Sequence, residues 1–197
     1  MAAFIVDMDK VRTFAGPEDF YDWLSRNHAS ETEVWVRLHK KDSGIPSITA
    51  KEAVDVVLCW GWIDAIRKGL DQTSFLQRYT PRGKKSVWSQ VNVDNVGRLV
   101  DEGRMTEHGL KHVEAAKADG RWNKAYRISG AEIPADLLAA IEADPLAKAT
   151  FDGLSAQNRF ALIFRLNNLK TEAGRQKRIA AFVDMLRRGE AIHPQKK

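Results

Sequence analysis

At Gly61–Trp62 the hydrophobic rhythm of the chain changes, and that change limits what it can fold into. Upstream, Val54, Val57, Leu58 and Gly61 recur at helical intervals. Downstream, Trp62-Ile63-Asp64-Ala65-Ile66 and Ser74-Phe75-Leu76-Gln77-Arg78-Tyr79 alternate, which sends successive side chains to opposite faces of a strand. Thr49 and Glu52 have capping-box spacing, so the pattern predicts a helix over Ala50–Trp60 running into two strands joined by Lys68-Gly69-Leu70-Asp71. A third alternating run, Glu33–Lys41, has Val34, Val36 and Leu38 on one side and Trp35, Arg37 and His39 on the other. The fold class that follows is α+β. A small, mainly antiparallel sheet of Glu33–Lys41, Trp62–Ile66 and Ser74–Tyr79 carries the Ala50–Trp60 helix on one face, and a C-terminal α-helical region follows. Thr80-Pro81-Arg82-Gly83-Lys84-Lys85 is expected to end the ladder, because proline lacks a donor and Gly83 loosens the backbone.

The flanking segments are read in the same way. Val11 to Phe14 is a short strand or extended lead-in, and Pro17 opens a helix whose Phe20, Trp23 and Leu24 form one stripe. Ser86 or Ser89 starts a helix with Val91, Val96, Leu99 and Val100 that stops at Gly103; Thr106 starts another, ending near Gly120. Pro134 opens a helix that yields at Asp144-Pro145, and a short turn carries Phe151 and Leu154. Ser155 caps a helix striped by Phe160, Ile163 and Phe164. Thr171 begins the last one, which ends at Gly189, and His193 to Lys197 is a frayed tail. The loop from Gly120 to Pro134, containing Ser129-Gly130, divides an α+β part (1–122) from a helical part (130–192) packed on it.

Composition narrows the function classes. With 44% hydrophobic residues and no run of about 18 apolar ones, the chain reads as globular without a membrane span. The opening MAAFIVDMDKVRTF places Asp7 inside its apolar run and lacks a cleavage site, so a secretory signal is not expected. Cys59 is the only cysteine, which excludes an internal disulfide and a thiolate cluster and suits a reducing cytosol. A net charge of +5, concentrated at 67–85 and 170–197, favours anionic partners weakly. Without an RNP motif, zinc-finger spacing or GxxG clamp, a nucleic-acid partner is not expected. Monomer and homodimer both remain open.

Cys59 lies in the apolar stripe beside Trp60 and reads first as a small core hydrophobe; a nucleophilic role would need a histidine brought up in space, such as His28, His39, His108 or His112. His108 and His112 share a helical face, but no acid joins them as in the zinc-protease pattern, so no metal is assigned and two solvent-facing histidines are the expectation. The candidate ligand-binding set is Asp64, Arg78, Tyr79, Arg82, Trp88, Ser89 and Asn92. Arg78 and Arg82 would offer bidentate donors to a carboxylate or phosphate, Tyr79 or Trp88 a stacking wall, and Ser89 to Asn92 a helix start rich in N–H groups. Against this stands a structural account, in which Asp64 and Arg78 form a cross-strand ion pair.

Cys59-Trp60-Gly61-Trp62-Ile63-Asp64, Tyr79-Thr80-Pro81-Arg82, Ser86-Val87-Trp88-Ser89-Gln90-Val91-Asn92 and Glu102-Gly103-Arg104-Met105 together resemble the bacterial YdeI/OmpD-associated, or bacteriocin-protection, family. Ala65 and Gly83 depart from its usual run, where glycine and a basic residue are common. The resemblance implies a small cytosolic protein with a stress or antimicrobial-peptide resistance role. It supplies no catalytic residue and no cofactor.

Overall fold

Helix α2 (Ala50–Cys59) gives way through Trp60 and Gly61 to strand β3 (Trp62–Gly69) in the computed structural model of the chain, which describes residues 6–127 and 132–195. Thr49 and Glu52 close a reciprocal capping box at the start of α2. Gly61 makes the corner with φ +68°, a conformation that costs an L side chain roughly 1–2 kcal/mol. Besides α2 and β3, the chain forms β1 (Val11–Arg12), α1 (Pro17–Asn27), β2 (Val34–His39), β4 (Ser74–Pro81), α3 (Gln90–Asp101) and α4 (Glu107–Ala118). Helices α5 (Ala135–Glu142), α6 (Pro145–Asp152), α7 (Ala156–Asn167) and α8 (Glu172–Arg187) follow. The chain divides into two compact units, Met1–Tyr126 and Arg127–Lys197.

In the first unit the strands are ordered β1-β2-β4-β3, with β1 parallel to β2 and the other pairs antiparallel. Val34, Val36 and Leu38 of β2 join Tyr79 of β4 and Trp62 of β3 in a core closed by Phe20 and Leu24 of α1 and Val56 and Val57 of α2. Leu58 and Cys59 belong to a second core with Trp88, Val96 and Leu99 of the α3 region and Val113 and Ala116 of α4. Helix α2 is thus buried on two sides. Its one buried charge, Asp55, is held by Arg98 of α3 at 2.7 Å.

The structure revises several expectations. The sheet has four strands rather than three because Val11 and Arg12 pair in parallel with Trp35 and Val36. Strand β3 runs on to Gly69, since the reversal is made later by Asp71, whose carboxylate accepts from the backbone N–H groups of Thr73 and Ser74. Strand β4 includes Pro81 instead of ending before it. Pro81 lies opposite Trp62, beyond the last β2 partner at Val34↔Tyr79, and Arg82 N–H then donates to Gly61 O at 2.9 Å. By ladder alternation the proline nitrogen faces the side where β2 has already stopped, so no hydrogen bond is lost. Asp64 is opposite Tyr79, not Arg78, and Arg78 instead pairs with Glu33 at 2.7 Å. On α3, Val96 and Leu99 are buried, whereas Val91 and Val100 are exposed.

The regular elements among the second unit's described residues are all helices. Asp144-Pro145 stops α5 and also starts α6: Asp144 caps the N–H groups of Leu146 and Ala147, and Pro145 sits where its missing N–H costs nothing. The segment expected to be a short turn is therefore helix. On α7 the buried stripe is Asn158, Ala161, Leu162, Ile163 and Leu166, with Phe160 and Phe164 only half-buried. The tail is docked as far as Gln195: Asn158, 1% exposed, donates to His193 O and accepts from His193 N–H, and Gln195 bonds the backbone on both sides of Leu154. Ser129-Gly130 and the last two lysines lie outside the described residues.

Two glycines inside helices make opposite demands. A Cβ on Gly97 of α3 would meet nothing within 4 Å, whereas one on Gly109 of α4 would lie 2.3 Å from the carbonyl oxygen of Cys59. Gly97→Ala is expected to raise stability by up to about 1 kcal/mol and Gly109→Ala to lower it by about 3 kcal/mol or more, because backbone cannot yield. Urea titrations of the two variants check the signs.

Candidate functional site

Arg82 leaves the end of β4 and turns inward, and its side chain is 4% exposed. The guanidinium lies 3.8 Å from the ring centre of Trp88, and Nη1 donates to Val87 O at 3.1 Å. Nε and Nη2 are buried without a hydrogen-bond partner, as is the indole N–H of Trp88 beside them. Among the described residues no carboxylate comes within ion-pair distance of Arg82. Burial pulls its pKa down to about 10, opposed by the charge of Asp64 and reinforced by that of Arg121. An arginine desolvated without a counterion is costly, and buried orphan donors in a native fold ask for an acceptor.

The chain just beyond Arg82, Gly83 and Lys84, lines a groove of about 370 Å³ together with Lys111, His112, Ala115, Asp119 and Arg121; Arg82 itself lies outside that lining, within electrostatic reach of His112. Local chain chemistry assembles the groove. Thr106 caps α4 and also donates through Oγ and N–H to Cys59 O, at 2.6 and 3.2 Å, while Gly109 lets α4 close on the end of α2. One turn later His112 reaches Gly61, where a Cβ would stand 2.4 Å from the imidazole Cδ2. The segment after α4 is tied alongside: Tyr126 N–H donates to Trp88 O, Gln90 N–H to Tyr126 O, and Arg121 Nη1 to Ser86 O at 2.8 Å. Arg121 is also chelated by Asp119 at 2.8 and 2.9 Å. Neither Lys84 nor Lys111 enters an ion pair among the described residues.

His112 stands at one end of a row of rings. Its centroid is 5.7 Å from that of His108, His108 is 4.5 Å from His28, and His28 is 4.6 Å from Trp60. His28 Nδ1–H donates to Leu24 O at 2.9 Å, which fixes its tautomer. Burial first, then His108, Arg82 and Arg121, hold the His112 pKa below the usual imidazole value; burial, His28 and Lys111 do the same for His108. These histidines are half-buried in the row instead of facing solvent as expected. No group of three His, Cys, Asp or Glu side chains among the described residues could hold a metal ion.

Of the residues singled out in the sequence, Arg82 and Trp88 stand in contact. Asp64 is exposed, and its charge reaches Arg82 and Tyr79. Tyr79 is fully buried in the sheet core, its hydroxyl unpartnered and its pKa raised by burial. Arg78 is engaged by Glu33 elsewhere. Ser89 and Asn92 serve the helix itself, with Ser89 Oγ accepting Asn92 N–H, and the first N–H of α3 goes to Tyr126 O. The helix start is therefore largely occupied, and the unmet donors belong to Arg82 and Trp88. Sequence reading named His112 only as a possible partner of Cys59 or His108 and did not bring it, Lys111 or Arg121 to this groove, because their approach depends on close contacts at Gly61 and Gly109.

Two family models match the chain, one within each unit. The family described as a domain of unknown function, DUF8412, matches residues 12–112, just over half of the chain, and the protein belongs to that family. The family described as Bacteriocin-protection, YdeI or OmpD-Associated matches residues 130–189. The motifs between Cys59 and Asn92, which carried the resemblance to that family, fall in the part matched by the first. No curated protein and no solved structure matches. No helix among the described residues is long and apolar enough to cross a membrane.

Cys59 is fully buried, and burial pushes its thiol up to about 11. The folded protein is expected to resist iodoacetamide at neutral pH and to become alkylated on unfolding in urea, followed by mass spectrometry. Rapid alkylation of the folded form would instead mark an activated thiol.

Proposed function

We propose that the first unit is a binding domain for a small anionic ligand held by Arg82, and that its role is recognition rather than catalysis. The observation that carries this reading is the pair of buried, unpartnered donors Nε and Nη2 on a guanidinium already braced by Trp88. A planar donor pair of that kind suits a carboxylate or phosphate oxygen pair. The lysines of the adjoining groove add the long-range attraction that favours an anion over water. The burial of Cys59, which raises its thiol pKa, supports binding without thiol chemistry. The wider setting we propose is a cytosolic protein of the YdeI/OmpD-associated kind across its whole length, acting in protection against bacteriocins or related stress. The match over residues 130–189 and the single cysteine support that setting.

Arg82→Met tests the binding role, since methionine fills much of the same space and removes the charge. A buried charge with no partner opposes folding, so the variant is expected to be as stable as the parent or more so. The parent should gain stability from sulfate, about 2.7 kcal/mol at a hundredfold excess over Kd, and the variant should lose that gain. Thermal melts across a sulfate series at constant ionic strength make the comparison. A variant that is less stable than the parent but equally responsive to sulfate would reduce Arg82 to a packing residue.

A further inference from the structure

His112 is the one titratable side chain that both lines the cationic groove and belongs to the histidine row behind it. Building on the anion-site reading, we infer that the ligand is a doubly charged oxyanion, such as a phosphate monoester, and that His112 takes up a proton when it binds.

The charge count favours a dianion. Lys84, Lys111 and Arg121 line the groove with Asp119, and Arg82 and Asp64 act on it from beyond the lining, which leaves an excess of two positive charges. A monoanion would leave part of that excess uncompensated. The same surroundings disfavour the protonated form of His112 while the groove is empty. Its neighbours from the packed elements are His108 and Lys111 on its own helix, Arg82 and Lys84 from the end of β4 and the loop beyond, Arg121 and Asp119 after α4, and His28 through His108; Gly61 of the α2–β3 corner contributes no charge. Protonation there adds to a cluster of cations, and the lowered pKa of the imidazole reflects that repulsion together with burial. A dianion beside the ring reverses the sign of the field. Linkage then requires that whatever raises the His112 pKa on binding also makes binding tighter at lower pH.

The sign follows in both directions. In the empty protein the depressed imidazoles of His112 and His108 disfavour the fold as pH drops below about 6.5, because the unfolded chain accepts protons that the folded one refuses. Occupation by a dianion offsets that loss. The groove is therefore an acid-strengthened anion site, with Arg82 supplying the donors that do not titrate and His112 the proton that does.

Sulfate is the probe of choice because it remains doubly charged through this range and contributes no titration of its own. Calorimetric titration of the whole chain between about pH 7.5 and 5.5 is expected to show sulfate affinity rising by roughly tenfold, the effect of about half a linked proton averaged over the two pH units. At about pH 6, paired buffers of different ionisation enthalpy should report proton uptake on binding. His112→Gln is expected to bind sulfate near pH 7.5 as the parent does but to show no strengthening on acidification. Nitrate at matched ionic strength should bind more weakly than sulfate throughout. Sulfate binding by the parent at one affinity across the range, with no proton uptake, overturns the coupling and leaves the anion site standing. Equal affinity for nitrate and sulfate overturns the ligand class. Absence of sulfate binding at every pH overturns the anion-site reading itself. The buffer comparison uses the parent protein, so it decides the coupling even if His112→Gln fails to fold.

Discussion

The carbonyl of Gly61 accepts the backbone N–H of Arg82, while the bare Cα of the same residue receives the ring of His112. Helix becomes strand at that corner, the last ladder bond of β3 and β4 closes there, and α4 finds its seat against it. Gly61 meets two demands at once, a left-handed backbone and a missing side chain, and no other residue type satisfies both. Gly109 answers the same need one turn earlier on α4, where helix approaches the terminal carbonyls of α2. Those carbonyls are the unsatisfied acceptors that every helix leaves at its end, and Thr106 fills the one on Cys59. The arrangement of the groove is thus a consequence of how one helix terminus is closed.

Burying Arg82 runs against the usual economy of charges. Its guanidinium gains a ring face and one carbonyl, yet keeps two buried donors without acceptors. Other arginines are set on carboxylates, while Arg159 also has a buried Nε without a partner. Arg98 is shared between Asp55 and Glu102, Arg175 is forked on Asp136, and Arg78 is set on Glu33. Those pairs are partly exposed and individually of modest worth. Arg82 differs from the arginines of those pairs in being 4% exposed with two unpartnered donors, which is the observation the proposed anion site rests on.

Much of this was legible in the residues. The change of period at Gly61–Trp62, the capping box at Thr49 and Glu52, and the alternation of Val34, Val36 and Leu38 all have local causes, so local patterns report them. What escaped was decided by partners distant in sequence. Pro81 stays in its strand because β2 has already ended, a fact of register that composition does not encode. Asp144-Pro145 looks the same whether it closes one helix or opens the next, and it does both. Arg78 in β4 and Arg82 just beyond its end were grouped as a single donor pair, yet Glu33 takes the first and Trp88 the second. His112 and Arg121 join the site only because Gly109 and the Trp88–Tyr126 bridge fold α4 and its sequel back onto the end of the sheet.

The most direct measurement is a crystal structure of the protein soaked in selenate, with the anion located by anomalous scattering at the selenium edge. Selenate has the charge and shape of sulfate and cannot be confused with ordered water. The expected result is a peak whose oxygens lie within about 3 Å of Arg82 Nε and Nη2, the reach of a hydrogen bond. A map in which those two donors are met by water alone, with selenate absent or confined to the exposed lysines of the loop, would contradict the assignment of Arg82 as the heart of an anion site.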